Sequence, residues 1–221
     1  MKGRWKIIIP IGILFFPLLI FFFFKFGTTQ HYNSLPFYGE KSVAPGGTDT
    51  LYATLPEFSF IDQNGNPFTS AELQGHIAVF NILSTSKPDA AKLLTQAMSI
   101  VESYFKIKEN KDLLVITLTA DPDFDSPETL KTFAQGMDAG SEGWFYLTGN
   151  KAELYEFANK SLLFECNAEN KPFSEDYTFR LIDREGRLRG KGYNGLNQKD
   201  MDKVIDDIVA LTWEYNNRPQ N

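Results

Sequence analysis

The first pattern in the chain is an unbroken apolar one: from Ile7 to Phe24, 18 residues carry no charge and are dominated by Ile, Leu and Phe. As a helix rising about 1.5 Å per residue this stretch is about 27 Å long, close to a bilayer's hydrocarbon core of about 30 Å. Pro10 and Pro17 are tolerable in such a helix. A cleaved signal peptide is the competing reading, but its apolar region is usually about 7–15 residues and ends in small residues, whereas Phe24-Lys25-Phe26-Gly27 follows here. An uncleaved anchor within residues 1–27 is the favoured expectation. Lys2, Arg4 and Lys6 precede it and Lys25 alone follows closely. The positive-inside rule therefore predicts a single-pass protein of the cell membrane, N-terminus cytoplasmic and the rest extracytoplasmic, periplasmic in a Gram-negative source.

Residues 28–53 are polar, broken by Pro36, Pro45, Gly46 and Gly47, and hold no helical or strand period. They read as a flexible linker whose 26 residues reach about 90 Å when fully extended. From Thr54 the pattern becomes regular. Phe58-Ser59-Phe60 begins a strand ending in the turn Asp62-Gln63-Asn64-Gly65. Pro67 to Leu73 follows, with Thr69 or Ser70 as candidate N-cap and Glu72 in the first turn. Ile77 to Leu83 is an apolar strand, and a polar turn, Ser84 to Pro88, opens a helix from Asp89 to about Lys106. That helix places Leu93, Leu94, Ala97, Ile100, Val101 and Tyr104 at helical spacing.

Leu113 to Leu118 is a continuous apolar run, as in a central parallel strand. Ser126-Pro127-Glu128 gives an N-cap, an N1 proline and an acidic first turn for a helix to about Met137. Trp144–Leu147 is a short strand and Lys151–Lys160 a helix; Thr178–Ile182 and Arg187–Tyr193 form a hairpin, and Gln198–Trp213 is an amphipathic helix. The order β-α-β-α-β-α-β-β-α describes an α/β domain over residues 54–213, with 214–221 left as a C-terminal tail.

Without residues 1–27, 18 basic residues face 28 acidic ones, a net charge of −10. That surface argues against nucleic acid and against docking on anionic lipid. Cys166 is the only cysteine, so no intrachain disulfide can form. A small buried apolar residue and a reactive or intermolecularly paired thiol are its two readings, and the flanking Leu163-Phe164-Glu165 and Asn167 offer no cation to lower its pKa.

Four blocks carry a resemblance: Leu55 to Gly65; Leu73 to Ile77 with the strand and turn to Pro88; Asp121-Pro122-Asp123-Phe124-Asp125-Ser126-Pro127-Glu128-Thr129-Leu130, followed by Trp144 to Gly149; and Leu181 to Gly190. Together they resemble the Sco/SenC family of membrane-anchored thioredoxin-fold proteins linked to cytochrome c oxidase assembly. The resemblance implies a thioredoxin-like fold, a central mixed β-sheet flanked by helices, preceded here by one transmembrane helix.

In that family a Cys-x-x-x-Cys pair and one histidine bind copper, and the cysteines do thiol–disulfide chemistry; soft thiolates and imidazole suit that metal. The resemblance places the first cysteine on Lys87, the motif's proline on Pro88, the second cysteine on Ala91 and the histidine on Glu175. All three ligand positions are substituted, and the two histidines, His31 and His76, lie elsewhere. The implied protein has no catalytic residue, no copper or other cofactor, and a binding role toward a protein partner in oxidase or envelope-protein assembly, with Lys87 and Pro88 as candidate contacts. A copper chaperone or thiol–disulfide oxidoreductase using ligands such as Cys166 and His76 is the alternative, and a small-ligand binder around Lys87 a third.

The plain readings stand beside these. A cation at a helix N-terminus is mildly unfavourable, so Lys87 is either a contact for an acidic partner or a solvated lysine. Asp121, Asp123 and Asp125 open like a calcium loop, but Ser126 and Thr132 stand where Gly and Glu are required; a loop capping a helix through Asp125 or Ser126 is the simpler account. Glu175 and Asp176 are adjacent, so on a strand they face opposite ways, as exposed charges do.

Overall fold

The computed structural model describes residues 15–17, 19–22, 34–43, 50–107, 112–139, 142–165 and 177–217. The chain divides into two units, residues 1–33 and residues 34–221. In the first, the described residues 15–17 and 19–22 are helical. Much of the expected span Ile7–Phe24 lies outside the described residues, among which no helix is long and apolar enough to cross a membrane.

The second unit is built on a five-stranded mixed sheet. Its strands are β5 (Ile77–Leu83), β6 (Leu113–Thr119), β7 (Trp144–Leu147), β8 (Thr178–Ile182) and β9 (Leu188–Asn194), in the order β7-β6-β5-β8-β9. β5, β6 and β7 are parallel, and β8 and β9 run antiparallel to their neighbours. The two central strands are buried at every position, as their mostly apolar runs require of strands covered on both faces. Ala78, Phe80, Ile82, Leu114, Ile116 and Leu118 face one way, against Phe60, Phe68, Leu154, Phe157 and Ala158. Alternation sends Ile77, Val79 and Asn81 to the other face, where α1 (Pro88–Ile107) and α4 (Gln198–Asn216) pack.

The remaining helices are α2 (Pro127–Gly136) and α3 (Lys151–Glu156), the latter continuing as one π turn, Phe157–Ser161. Ser126 caps α2 by accepting from the Thr129 N–H, with Pro127 at the first helical position. Pro67–Leu73 is a strand and one turn rather than one element: β3 (Ser59–Ile61) pairs with β4 (Pro67–Thr69), and a 3₁₀ turn (Ser70–Leu73) follows. Thr69 caps that turn in a reciprocal box with Glu72.

Two boundaries differ from expectation. The folded unit begins at Ser34, not Thr54, so the flexible linker does not run through residue 53. β1 (Lys41–Val43) pairs with β2 (Thr50–Tyr52), and residues 36–38 run along β9 through Tyr38 N–H to Leu188 O and Gly190 N–H to Pro36 O. The anchor is Arg189, whose side chain is fully buried; it donates twice to Leu35 O and pairs with Asp183 at 2.9 Å and Glu214 at 3.0 Å, above the Phe37 ring. The same cluster extends α4 to Asn216, beyond the expected Trp213, because Glu214 meets Arg189 and Tyr215 lies over Arg184.

Candidate functional site

The parallel strands β5 and β6 end side by side, and the loops after them meet there, the usual ligand-bearing edge of a parallel sheet. β5 leads into a turn closed by the Lys87 N–H to Ser84 O bond, 3.1 Å. Pro88 then starts α1, where it has no N–H to leave unpaired. Lys87 acts as the N-cap residue, its carbonyl accepting from Ala91 N–H at 3.0 Å. The side chains of Lys87 and Pro88 are exposed, whereas Ala91 is 1 % exposed and turned toward the sheet.

The second loop grips the first. Asp125 is fully buried, and both its oxygens accept from Thr85 N–H at 3.3 Å; the Thr85 hydroxyl also donates to it, and the Thr119 hydroxyl does so at 2.5 Å. Thr119 Oγ1 in turn accepts from Asp121 N–H at 2.9 Å. Ser84 and Ser86 share a hydroxyl contact of 2.7 Å, and Ser86 donates to Asp121 Oδ2 at 3.3 Å. Asp125 is therefore a clasp between the loops, while the cap of α2 is Ser126 alone. The same loop carries Phe124, 55 % exposed, between a buried Asp125 and Asp123, which pairs with Lys151 at 2.7 Å. The hydrogen bond to Asp123 holds the Lys151 ammonium above its ordinary pKa.

The candidate residues are only partly brought together. Lys87 and Pro88 share the mouth of the turn, with Ala91 buried one helical turn behind Lys87; Glu175, Asp176, Cys166 and His31 lie outside the described residues. His76 precedes β5, at the end of the strand opposite the turn, roughly 20 Å away along the extended chain. It cannot join a site at Lys87. Sequence reasoning missed the clasp and the exposure of Phe124. The signal for the clasp was the spacing of Asp125 from the loop's first aspartate, read as a helix cap.

Comparison with known proteins gives this geometry a lineage. Residues 47–210 match the sequence model of SCO1/SenC. The chain belongs to the SCO1/SenC family. Among its relatives, the SCO1 protein homolog of Bacillus subtilis is 30 % identical over 170 residues, covering 74 % of this chain and 86 % of the relative. Two solved structures align with a TM-score of 0.59 and 27 % identity over 73 % of this chain. One, covered over 95 %, is BsSco, described as a Sco family cytochrome c oxidase assembly protein with a disulfide switch. The other, covered over 96 %, is a SCO1/SenC family lipoprotein from Bacillus anthracis. The mixed α/β architecture is the thioredoxin-like fold of these proteins.

Proposed function

We propose that this chain is a membrane-anchored, extracytoplasmic member of its family that has exchanged redox and copper chemistry for binding, and that it serves as an assembly factor for a respiratory oxidase or another envelope protein. One observation carries the reading: the turn Ser84–Lys87 and the first turn of α1 keep a built, clasped geometry, yet hold no cysteine or histidine. The donors present there are hydroxyls, carboxylates and an ammonium. They do not fit Cu(I), which prefers thiolate and thioether sulfur, and none can cycle to a disulfide. Glu175, where the resemblance places the family's histidine, is a carboxylate, another hard oxygen donor by its chemistry.

What the mouth does offer is a contact surface. Lys87 and Pro88 stand exposed on the turn, and Phe124 projects from a loop whose base is fixed by Asp125. An exposed aromatic on a rigid support, with an exposed cation on the loop it is clasped to, suits a protein partner with an apolar hollow and acidic rim. The anchor reading rests on the 18 uncharged residues from Ile7 to Phe24 and the basic residues before them. A reporter fused after Asn221 is expected to work only if it requires export, and a soluble mature form starting near Gly27 would replace the anchor with a cleaved signal.

The functional test is complementation in the source organism. Where loss of the chain lowers oxidase activity, wild type and Cys166→Ser are expected to restore it, while Lys87→Glu and Phe124→Ala are not. Failure of Cys166→Ser at normal protein level would transfer the reading to the thiol.

A further inference from the structure

The loop from Ala120 to Asp125 is held on one side by the Asp125 clasp, and a second set of contacts reaches it from α3. The loop is first closed on itself. The Asp121 carbonyl accepts from Phe124 N–H at 3.0 Å and from Asp125 N–H at 2.8 Å, and the Phe124 carbonyl accepts from Ser126 N–H at 3.1 Å. Phe124 therefore has both backbone groups committed while its ring stands exposed. The direction of the ring then depends on what holds the loop as a whole.

α3 supplies that hold. Its N-terminus is capped by Asn150, whose side chain accepts from Ala152 N–H at 2.9 Å and Glu153 N–H at 3.2 Å. Leu154, Phe157 and Ala158 bury α3 and its π turn in the cluster that holds Ala78, Phe80 and Ile82. Lys151 and Tyr155 are spaced i, i+4, so they lie on one face of the helix. Both reach the loop: Tyr155 Oη donates to Ala120 O at 2.9 Å, and Lys151 Nζ pairs with Asp123 at 2.7 Å. The Tyr155 ring packs against the core cluster, so a side chain with little freedom delivers its hydroxyl. Ala120 is held from the other side as well, its N–H donating to Leu83 O at 2.7 Å. Lys151 and Asp123 are both exposed, and a pair of that kind contributes little to global stability. Its effect is local, on the loop.

We infer that Lys151 and Tyr155 are positioning residues for Phe124: α3 grips the contact loop at Ala120 and Asp123, the β5 turn grips it at Asp125, and Phe124 lies between the last two grips. This rests on the proposed role of Phe124 as a contact. A partner then meets a ring already fixed, and binding forgoes the cost of ordering it.

Hydrogen exchange on the full chain tests the grip, with Tyr155→Phe, which removes only the hydroxyl, and with Lys151→Ala. The Phe124 and Asp125 amides are expected to exchange about fivefold faster in each variant, while those of α4 stay as they were. The reversed pair, Asp123→Lys with Lys151→Asp, is expected to restore the protection. Unchanged exchange at Phe124 in both single variants would overturn the proposal, as would a loss spread evenly over the chain or one that the reversed pair does not recover. Exchange needs no partner, so its result is independent of what Phe124 binds. Complementation reads that role: Tyr155→Phe is expected to restore less oxidase activity than the wild type, and full restoration with a loosened loop would overturn the contact reading and leave the grip standing.

Discussion

Replacing Asp125 with alanine removes the acceptor for three donors at once. The Thr119 hydroxyl is 2 % exposed and keeps only the bond it accepts from Asp121 N–H, so its own proton is left buried and unpaired. Such a donor costs about 1–3 kcal/mol. The Thr85 N–H and hydroxyl are partly exposed and reach water after a small shift, which limits their loss to about 0.5–1.5 kcal/mol each. Release of a buried carboxylate from its desolvation penalty offsets part of this. The expected net loss is about 2–3 kcal/mol, read as a lower midpoint at unchanged slope in urea unfolding of residues 34–221. Asp125→Asn keeps one acceptor oxygen and is expected to lose about half as much. The second readout is local: the Thr85 amide should lose its exchange protection in Asp125→Ala. A loss below about 0.5 kcal/mol with Thr85 still protected would refute the clasp.

Other consequences are sharper in position than in size. Gly190 sits at φ +72°, and an added Cβ would fall 2.1 Å from the Tyr193 hydroxyl, so Gly190→Ala should break the 2.7 Å Tyr193–Asp207 bond and cost about 2 kcal/mol or more; an unaltered unfolding midpoint contradicts this. Lys87→Cys with Ala91→Cys puts thiols one helical turn apart, and mild oxidation should close a disulfide, seen as loss of two titratable thiols; persistence of both would show that the turn no longer has the family's geometry. The Thr69 hydroxyl and N–H hold the Glu72 carboxyl below its ordinary 4.5. Its capping contribution is therefore present above pH 4.5 and lost as pH falls through the lowered value; an NMR midpoint at or above 4.5 for Glu72 refutes the box.

Periodicity made much of the fold legible. The runs 77–83 and 113–119 are mostly apolar and buried throughout because both faces are covered, and Ser126-Pro127 announced α2 by cap chemistry alone. What escaped were contacts between distant polar residues, which leave no period. Arg189 and Leu35 lie 154 positions apart, and nothing local to residues 34–38 shows that their backbone completes a sheet edge. The last turn of α4 escaped for the same reason, since Glu214 and Tyr215 look solvent-facing until Arg189 and Arg184 are beside them. At the site, the lack of cysteine and histidine in the turn was readable, but the role of Asp125 was not: its partner Thr85 is 40 residues away.

The central claim is that this family member works without the metal. A competition between the full chain and a strong Cu(I) chelator, run under reducing conditions, tests it most directly. The account predicts that copper stays with the chelator, for wild type and for Cys166→Ser alike. Retention of one copper per chain by the wild type would contradict it.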